Sequence, residues 1–254
     1  MMTAVFSLGY WLFFGATSIV LYPGAVLLCL ATAPFDPQRT WLHRYTCWWA
    51  CLYLRCLPGC RLRVEGREKI VLRTPFVLVA NHQSMTDIMA LSALAVPFKW
   101  VSKMEAFRLP FIGWNMYLNQ YVRVDRGNIR SVRQTMERCR FWLRQSMPLL
   151  IFPEGHRSRS GEMLDFHGGA FKLAVESGCA IVPIVVDGTL PIYQGWKVLA
   201  CPGQITIRVL DPIHPGEGGN AERLRQQVFR LMKQTLAEMR GQEVPTAAPV
   251  AATK

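Results

Sequence analysis

The chain has 254 residues, with 29 Lys plus Arg against 17 Asp plus Glu, a formal net charge of +12, and 51% hydrophobic residues. That length holds one sizeable core with a small appended element and argues against two full domains. The charge suits an anionic partner (nucleic acid, an anionic membrane surface or a phosphorylated substrate) and by itself does not choose among them.

Lipid is indicated at the start of the chain, because Met1 to Phe35 contains no Asp, Glu, Lys, Arg or His. A bilayer crossing takes roughly 20 apolar residues. The run from Ala4 to Ala33 exceeds that, and Tyr22-Pro23-Gly24 is expected to break or bend it, so that it crosses or re-enters. The missing basic n-region and the lack of a small-residue cleavage site argue against a cleaved secretory signal. Arg39, Arg44, Arg55, Arg61, Arg63 and Arg67 follow closely. The positive-inside rule therefore puts the remainder on the cytoplasmic side of a membrane.

Thr40 to Leu57 combines Trp41, Tyr45, Trp48, Trp49 and Tyr53 with Arg44 and Arg55. It reads as a helix lying at a membrane interface, with an ordinary buried helix as the alternative. Cys47, Cys51, Cys56 and Cys60 fall at helical spacing without a C-x-x-C pair or the usual zinc pattern. They read as reduced, small packing residues, and no metal site is expected.

From Arg61 the pattern changes to short β-branched or apolar runs: Arg61-Val64, Phe76-Ala80, Phe98-Ser102, Tyr121-Val124, Leu149-Phe152, Ile181-Val186 and Ile205-Leu210. Helical patterns lie near Asp87-Leu94, Ile129-Gln145 and Ala170-Ser177, the last stopping at Gly178, and an amphipathic helix covers Ala221-Met239. This alternation predicts an α/β domain over 61–240, with a mixed, largely parallel sheet of about seven strands flanked by helices. Membrane-anchoring helices precede it over 1–60, and a Pro- and Ala-rich tail, expected to be disordered, follows over 241–254.

The polar residues that follow these strands carry the chemistry. Asn81-His82-Gln83-Ser84-Met85-Thr86-Asp87 comes directly after an apolar strand, where open α/β sheets bind ligands. His82 and Asp87 can meet if the histidine sits in the turn and the aspartate in the first turn of the next helix. Asp87 then holds one imidazole nitrogen and leaves the other as a base. Alone, a histidine bonded to a nearby carboxylate is more often structural than catalytic, by about two to one. A second cluster, Phe152-Pro153-Glu154-Gly155-His156-Arg157-Ser158, also follows a strand and shares its edge with His82 if the strands are parallel. In it Arg157 offers a planar fork for phosphate, Gly155 permits close backbone approach, and Glu154 can accept from substrate hydroxyls. Arg123-Val124-Asp125-Arg126 and Lys103 follow two further strands.

Together these blocks resemble the glycerolipid acyltransferase family typified by 1-acylglycerol-3-phosphate acyltransferases, over about Phe76 to Asp187. The family's N-H-x-x-x-x-D block corresponds to Asn81-His82 through Asp87, its arginine block to Tyr121 through Arg126, its F-P-E-G-x-R-S block to Phe152 through Ser158, and a fourth block to Ile181-Val182-Pro183-Ile184. The resemblance implies His82 as general base and Asp87 as its partner. It also implies Lys103 and Arg126 as phosphate ligands, and Glu154, Gly155 and Arg157 in acceptor binding. The implied reaction moves a fatty acyl group from acyl-CoA or acyl-carrier protein to the sn-2 hydroxyl of 1-acylglycerol-3-phosphate. The product is phosphatidic acid for phospholipid biosynthesis, made without an acyl-enzyme or a cofactor. His156 stands where the family usually has threonine, and Gly168 where a lysine often precedes the glycine at 169. Another lyso-lipid acceptor therefore stays open.

Two rivals remain at this level. Ser84 or Ser158 acting as a nucleophile, with His82 as its base, would form an acyl-enzyme. A non-catalytic adaptor would bind anionic lipid through Arg130, Arg133, Arg140 and Arg144. No zinc-finger or RNP-type pattern supports nucleic acid as a partner.

Overall fold

The computed structural model describes residues 2–72, 74–125, 127–194, 197–198, 203–216 and 218–242. The apolar run forms one helix, α1 (Met2–Thr32), long and apolar enough to cross a membrane, with Leu8, Leu12, Val20 and Leu27 among its exposed side chains. The expected interruption at Tyr22-Pro23-Gly24 leaves the helix continuous. A proline removes one backbone donor, and here the hydroxyl of Tyr45 donates to the carbonyl of Leu21, two residues before Pro23 (2.9 Å). Gly24 makes room for that ring, since a Cβ there would stand 2.9 Å from the Tyr45 hydroxyl.

Tyr45 belongs to α2 (Thr40–Arg55), which turns Leu42, His43, Cys47, Trp49, Tyr53 and Leu54 inward and leaves Trp41 and Trp48 exposed. The two helices are joined through the Tyr53 hydroxyl, which takes the indole N–H of Trp49 (2.6 Å) and meets the hydroxyls of Thr17 (3.0 Å) and Ser18 (3.1 Å).

The domain then runs β1 (Arg61–Glu65), β2 (Phe76–Ala80), α3 (Thr86–Ser92), β3 (Lys99–Lys103), α4 (Met104–Phe107), α5 (Ile112–Leu118), β4 (Val122–Val124), α6 (Ile129–Arg144) and β5 (Leu149–Ile151). It continues with α7 (Gly169–Ser177), β6 (Ala180–Asp187), the hairpin β7 (Tyr193–Gln194) and β8 (Lys197–Val198), β9 (Gln204–Val209) and α8 (Ala221–Met239). Seven strands form one sheet in the order β1-β9-β6-β2-β5-β3-β4. Among the described residues, every strand pairing within this sheet is parallel except β6 with β9. The expected α/β class and largely parallel sheet are therefore present. Gly178 closes α7 in the left-handed conformation (φ 62°), as its position after the helix predicts.

The central strand β2 is buried on both faces, which is why it reads as an unbroken apolar run rather than an alternating one. Phe76, Leu78 and Ala80 pack with Trp49, Tyr53 and Leu91, from α2 and α3. Val77 and Val79 pack with Trp142, Phe171 and Val228, from α6, α7 and α8. The N-terminal helices thus share one face of the sheet's core.

Lys99 lies almost fully buried in that core, donating to the carbonyls of Gln38 (2.7 Å) and Asn119 (2.7 Å) with its ammonium 4.5 Å from the ring centre of Trp142. Burial pushes its pKa down to about 7. The sequence patterns do not anticipate α4, α5 or the β7–β8 hairpin. Segments this short give no helical or alternating period to detect, and tertiary packing decides their conformation.

Candidate active site

Parallel pairing brings the carboxyl ends of β2, β5, β3, β4 and β6 to one edge of the sheet. The chain after β2 turns sharply into α3, placing His82 in the turn and Asp87 in the first helical turn. The turn is held from β6. The Asn81 amide donates to the carbonyl of Val186 (2.9 Å) and accepts from its N–H (2.7 Å), and the Gln83 side chain donates to the same carbonyl (3.1 Å).

Asp87 is fully buried, and its carboxylate is saturated with donors. Oδ2 lies 2.8 Å from His82 Nδ1 and also accepts the backbone N–H groups of Gln83 (2.7 Å) and Ser84 (2.8 Å). Oδ1 accepts the hydroxyl of Thr189. A carboxylate only accepts, so His82 Nδ1 carries the proton and Nε2 of the neutral ring is the free base. The imidazole stacks flat on Phe152 (centroids 4.0 Å, planes 12° apart), and Phe152 in turn stacks on Trp100 (5.7 Å). This fixes the ring's plane as well as its tautomer.

Phe152 begins the second block, and the turn that follows docks against the first. Glu154 is almost fully buried, and both of its oxygens are engaged by the backbone. One oxygen accepts the backbone N–H of His82 (2.7 Å) and the other that of Leu164 (2.8 Å). Burial pushes its carboxyl up to about 7, only partly opposed by those two N–H groups. A further bond, Ser158 N–H to the His82 carbonyl (2.8 Å), completes the clasp. Gly155 has φ of 79°, a left-handed position in this tight turn that favours glycine.

The expected cations are distributed around this edge. Lys103, at the end of β3, and Arg157 are exposed. His156 is also exposed, and Gly168 lies just before α7 with open space around it. Arg126 lies outside the described residues. Neither candidate serine is hydrogen-bonded to the imidazole: the Ser84 hydroxyl pairs with Thr86 and that of Ser158 with Ser160 (3.3 Å each).

His82 lines a cavity of about 200 Å3 that is apolar over most of its wall. Phe14 of α1, Trp49 of α2, Met89 of α3, Trp100 of β3 and Met116 of α5 border it. The site thus pairs an oriented imidazole with an apolar space beneath the N-terminal helices. Thr189, Leu164 and the α5 wall escape sequence reasoning, because each lies outside the motif it supports and belongs to no recognisable pattern.

Comparison with known proteins agrees with this architecture. The family profile described as Acyltransferase matches residues 61–187. A 1-acyl-sn-glycerol-3-phosphate acyltransferase of Chlamydomonas reinhardtii is 36% identical over 82% of this chain and 62% of its own length. The chloroplastic enzyme of that name from Arabidopsis thaliana is 36% identical over 71% of this chain and 51% of its own. The chain therefore spans between half and two thirds of these longer relatives. The Pseudomonas aeruginosa protein with the same description is 30% identical over 81% of this chain and 80% of its own length. The crystal structure of the 1-acyl-sn-glycerophosphate acyltransferase from Thermotoga maritima superposes with a TM-score of 0.74, covering 96% of this chain and 98% of that one at 23% identity, and so has the same fold. On the profile match and the length of these alignments, the chain belongs to the acyltransferase family.

Proposed function

We propose that this protein is a 1-acylglycerol-3-phosphate O-acyltransferase, transferring a fatty acyl group from a thioester donor to the free sn-2 hydroxyl and forming phosphatidic acid. The observation that carries this reading is the His82–Asp87 pair opening onto an apolar cavity walled by α1 and α2. His82 Nε2 takes the hydroxyl proton as the acceptor oxygen attacks the thioester carbonyl. The tetrahedral intermediate collapses with cleavage of the C–S bond, and the imidazolium returns its proton to the departing thiolate. Asp87 stabilises the imidazolium while it exists. General-base catalysis supplies roughly 10²–10⁴-fold, and positioning supplies much of the rest.

The acyl chain lies in the cavity, the acceptor phosphate meets Lys103 and Arg157 at the sheet edge, and Arg126 is a further phosphate ligand. Glu154 and Gly155 shape the acceptor side by holding the turn against His82 rather than by touching the lipid. The donor is acyl-CoA or acyl-carrier protein, and the reaction as balanced needs no other cofactor. The exposed apolar residues of α1 face membrane lipid, and the basic residues after α1 keep the catalytic domain on the cytoplasmic side. The hydrogen bonds that occupy Ser84 and Ser158 support direct transfer over an acyl-serine.

The test is an acyl-transfer assay on purified protein with a panel of lyso-lipid acceptors, because His156 and Gly168 depart from the family pattern where the acceptor binds. Lysophosphatidic acid is expected to be the preferred acceptor. His82→Ala is expected to lose at least about 10²-fold in turnover while staying folded. Near-normal transfer by that variant refutes the mechanism.

A further inference from the structure

Asp87 is held from two sides. On one side Oδ2 receives His82 Nδ1 and two backbone N–H groups. On the other, the one hydrogen bond to Oδ1 among the described residues comes from Thr189, which is fully buried and lies 102 positions along the chain. The route to this contact is specific. Asp187 ends β6, and Gly188 has φ of 85° and passes so close to β9 that a Cβ would stand 2.3 Å from the Gln204 carbonyl. Only glycine allows that passage, and the next residue, Thr189, is thereby brought to Asp87. Beyond it a single helical turn leads to Tyr193, whose hydroxyl meets that of Tyr10 on α1 (3.1 Å). The segment carrying Thr189 is therefore fastened at both ends.

We propose that Thr189 is a positioning residue for acyl transfer, its hydroxyl fixing the Asp87 carboxylate so that Oδ2 stays on His82 Nδ1. This rests on His82 being the base, as argued above. A buried carboxylate with one oxygen unpaired is costly, and it relieves that cost by rotating or by holding a proton. Either change loosens the tautomer that leaves Nε2 available to the acceptor hydroxyl. Thr189 touches neither lipid in this arrangement, so its removal acts on turnover rather than on acceptor affinity.

The experiment compares the purified full-length protein with Thr189→Val, Thr189→Ser and His82→Ala, measuring transfer from acyl-CoA to lysophosphatidic acid across pH. Thr189→Val keeps the shape and deletes the hydroxyl, and kcat is expected to fall about 10- to 100-fold with acceptor KM within about twofold. The acid limb of kcat/KM is expected to move downward by about half a pH unit or more, because a carboxyl that has rotated away or taken up a proton stabilises the imidazolium less. Thr189→Ser restores the hydroxyl and is expected to recover most of the activity and the original pH profile. Thr189→Ala repeats the deletion with less bulk should valine disturb folding. Wild-type kcat and pH profile in Thr189→Val, beside an inactive His82→Ala, overturn the role of Thr189 and leave the base intact. Equal losses in the valine and serine variants also overturn it, since packing rather than the hydroxyl would then matter. Activity in His82→Ala refutes the base itself, which is a separate result.

Discussion

Glu154→Gln separates the support of His82 from the stability of the fold. Each Glu154 oxygen accepts one backbone N–H, from His82 (2.7 Å) and from Leu164 (2.8 Å), at an almost fully buried position. Glutamine keeps one acceptor and turns the other into a donor, so one N–H faces an NH2 group. The lost charge-assisted bond is worth about 1.5–3 kcal/mol. Against this, glutamine removes a buried charge whose carboxyl is pushed up to about 7 from 4.5. The folded state therefore binds a proton more tightly than the unfolded state between those values. Its contribution is fully present below the unfolded pKa and is lost as pH rises through the folded one. Wild-type stability is expected to fall by up to about 1.4 kcal/mol per pH unit from this group across that window, about 3 kcal/mol in all, and to flatten above pH 7. Denaturant unfolding at half-unit steps from pH 5 to 8 is the assay, with kcat/KM measured on the same samples. Glu154→Gln is expected to lack this slope, to lie within about 1–2 kcal/mol of wild type near pH 8, and to lose about 10-fold or more in kcat/KM as the His82 turn shifts. Parallel stability curves for the two proteins from pH 5 to 7, with equal activity, refute the reasoning.

Other substitutions test the remaining parts. Asp87→Asn presents an amide N–H2 to a cluster of donors and is expected to cost about 10²–10⁴-fold in kcat, read in the same transfer assay. Met116→Trp adds bulk to the cavity wall and is expected to shift preference toward shorter acyl chains, measured by competition between acyl-CoA donors of different length. An unchanged chain-length profile would place the acyl chain elsewhere.

Much of the candidate site is legible in the sequence because the polar blocks sit next to the strands that position them. His82 and Asp87 are five residues apart, a separation that a turn into a helix closes, and local backbone donors from Gln83 and Ser84 complete the arrangement. The strands read correctly for a similar reason, since a doubly buried β2 leaves an apolar run such as Phe76-Ala80. The backbone partners of Glu154 are not legible in the sequence, because a glutamate in a polar loop carries no sign of which groups it will meet. Its partners, His82 and Leu164, are 72 and 10 residues away. Pro23 reads as a break because its lost hydrogen bond is local, while the Tyr45 hydroxyl that donates to Leu21 comes from another helix.

The sequence by itself determined the secondary-structure alternation, the apolar N-terminal element and the pairing of His82 with Asp87. All three follow from hydrophobic period or from contacts a few residues apart. Only the tertiary structure decided that α1 and α2 cover the sheet to enclose a cavity at His82, that Glu154 braces the turn, and that Thr189 completes the Asp87 carboxylate. Those features depend on which strand ends lie side by side, a property of sheet order and of burial between distant segments that no local period encodes.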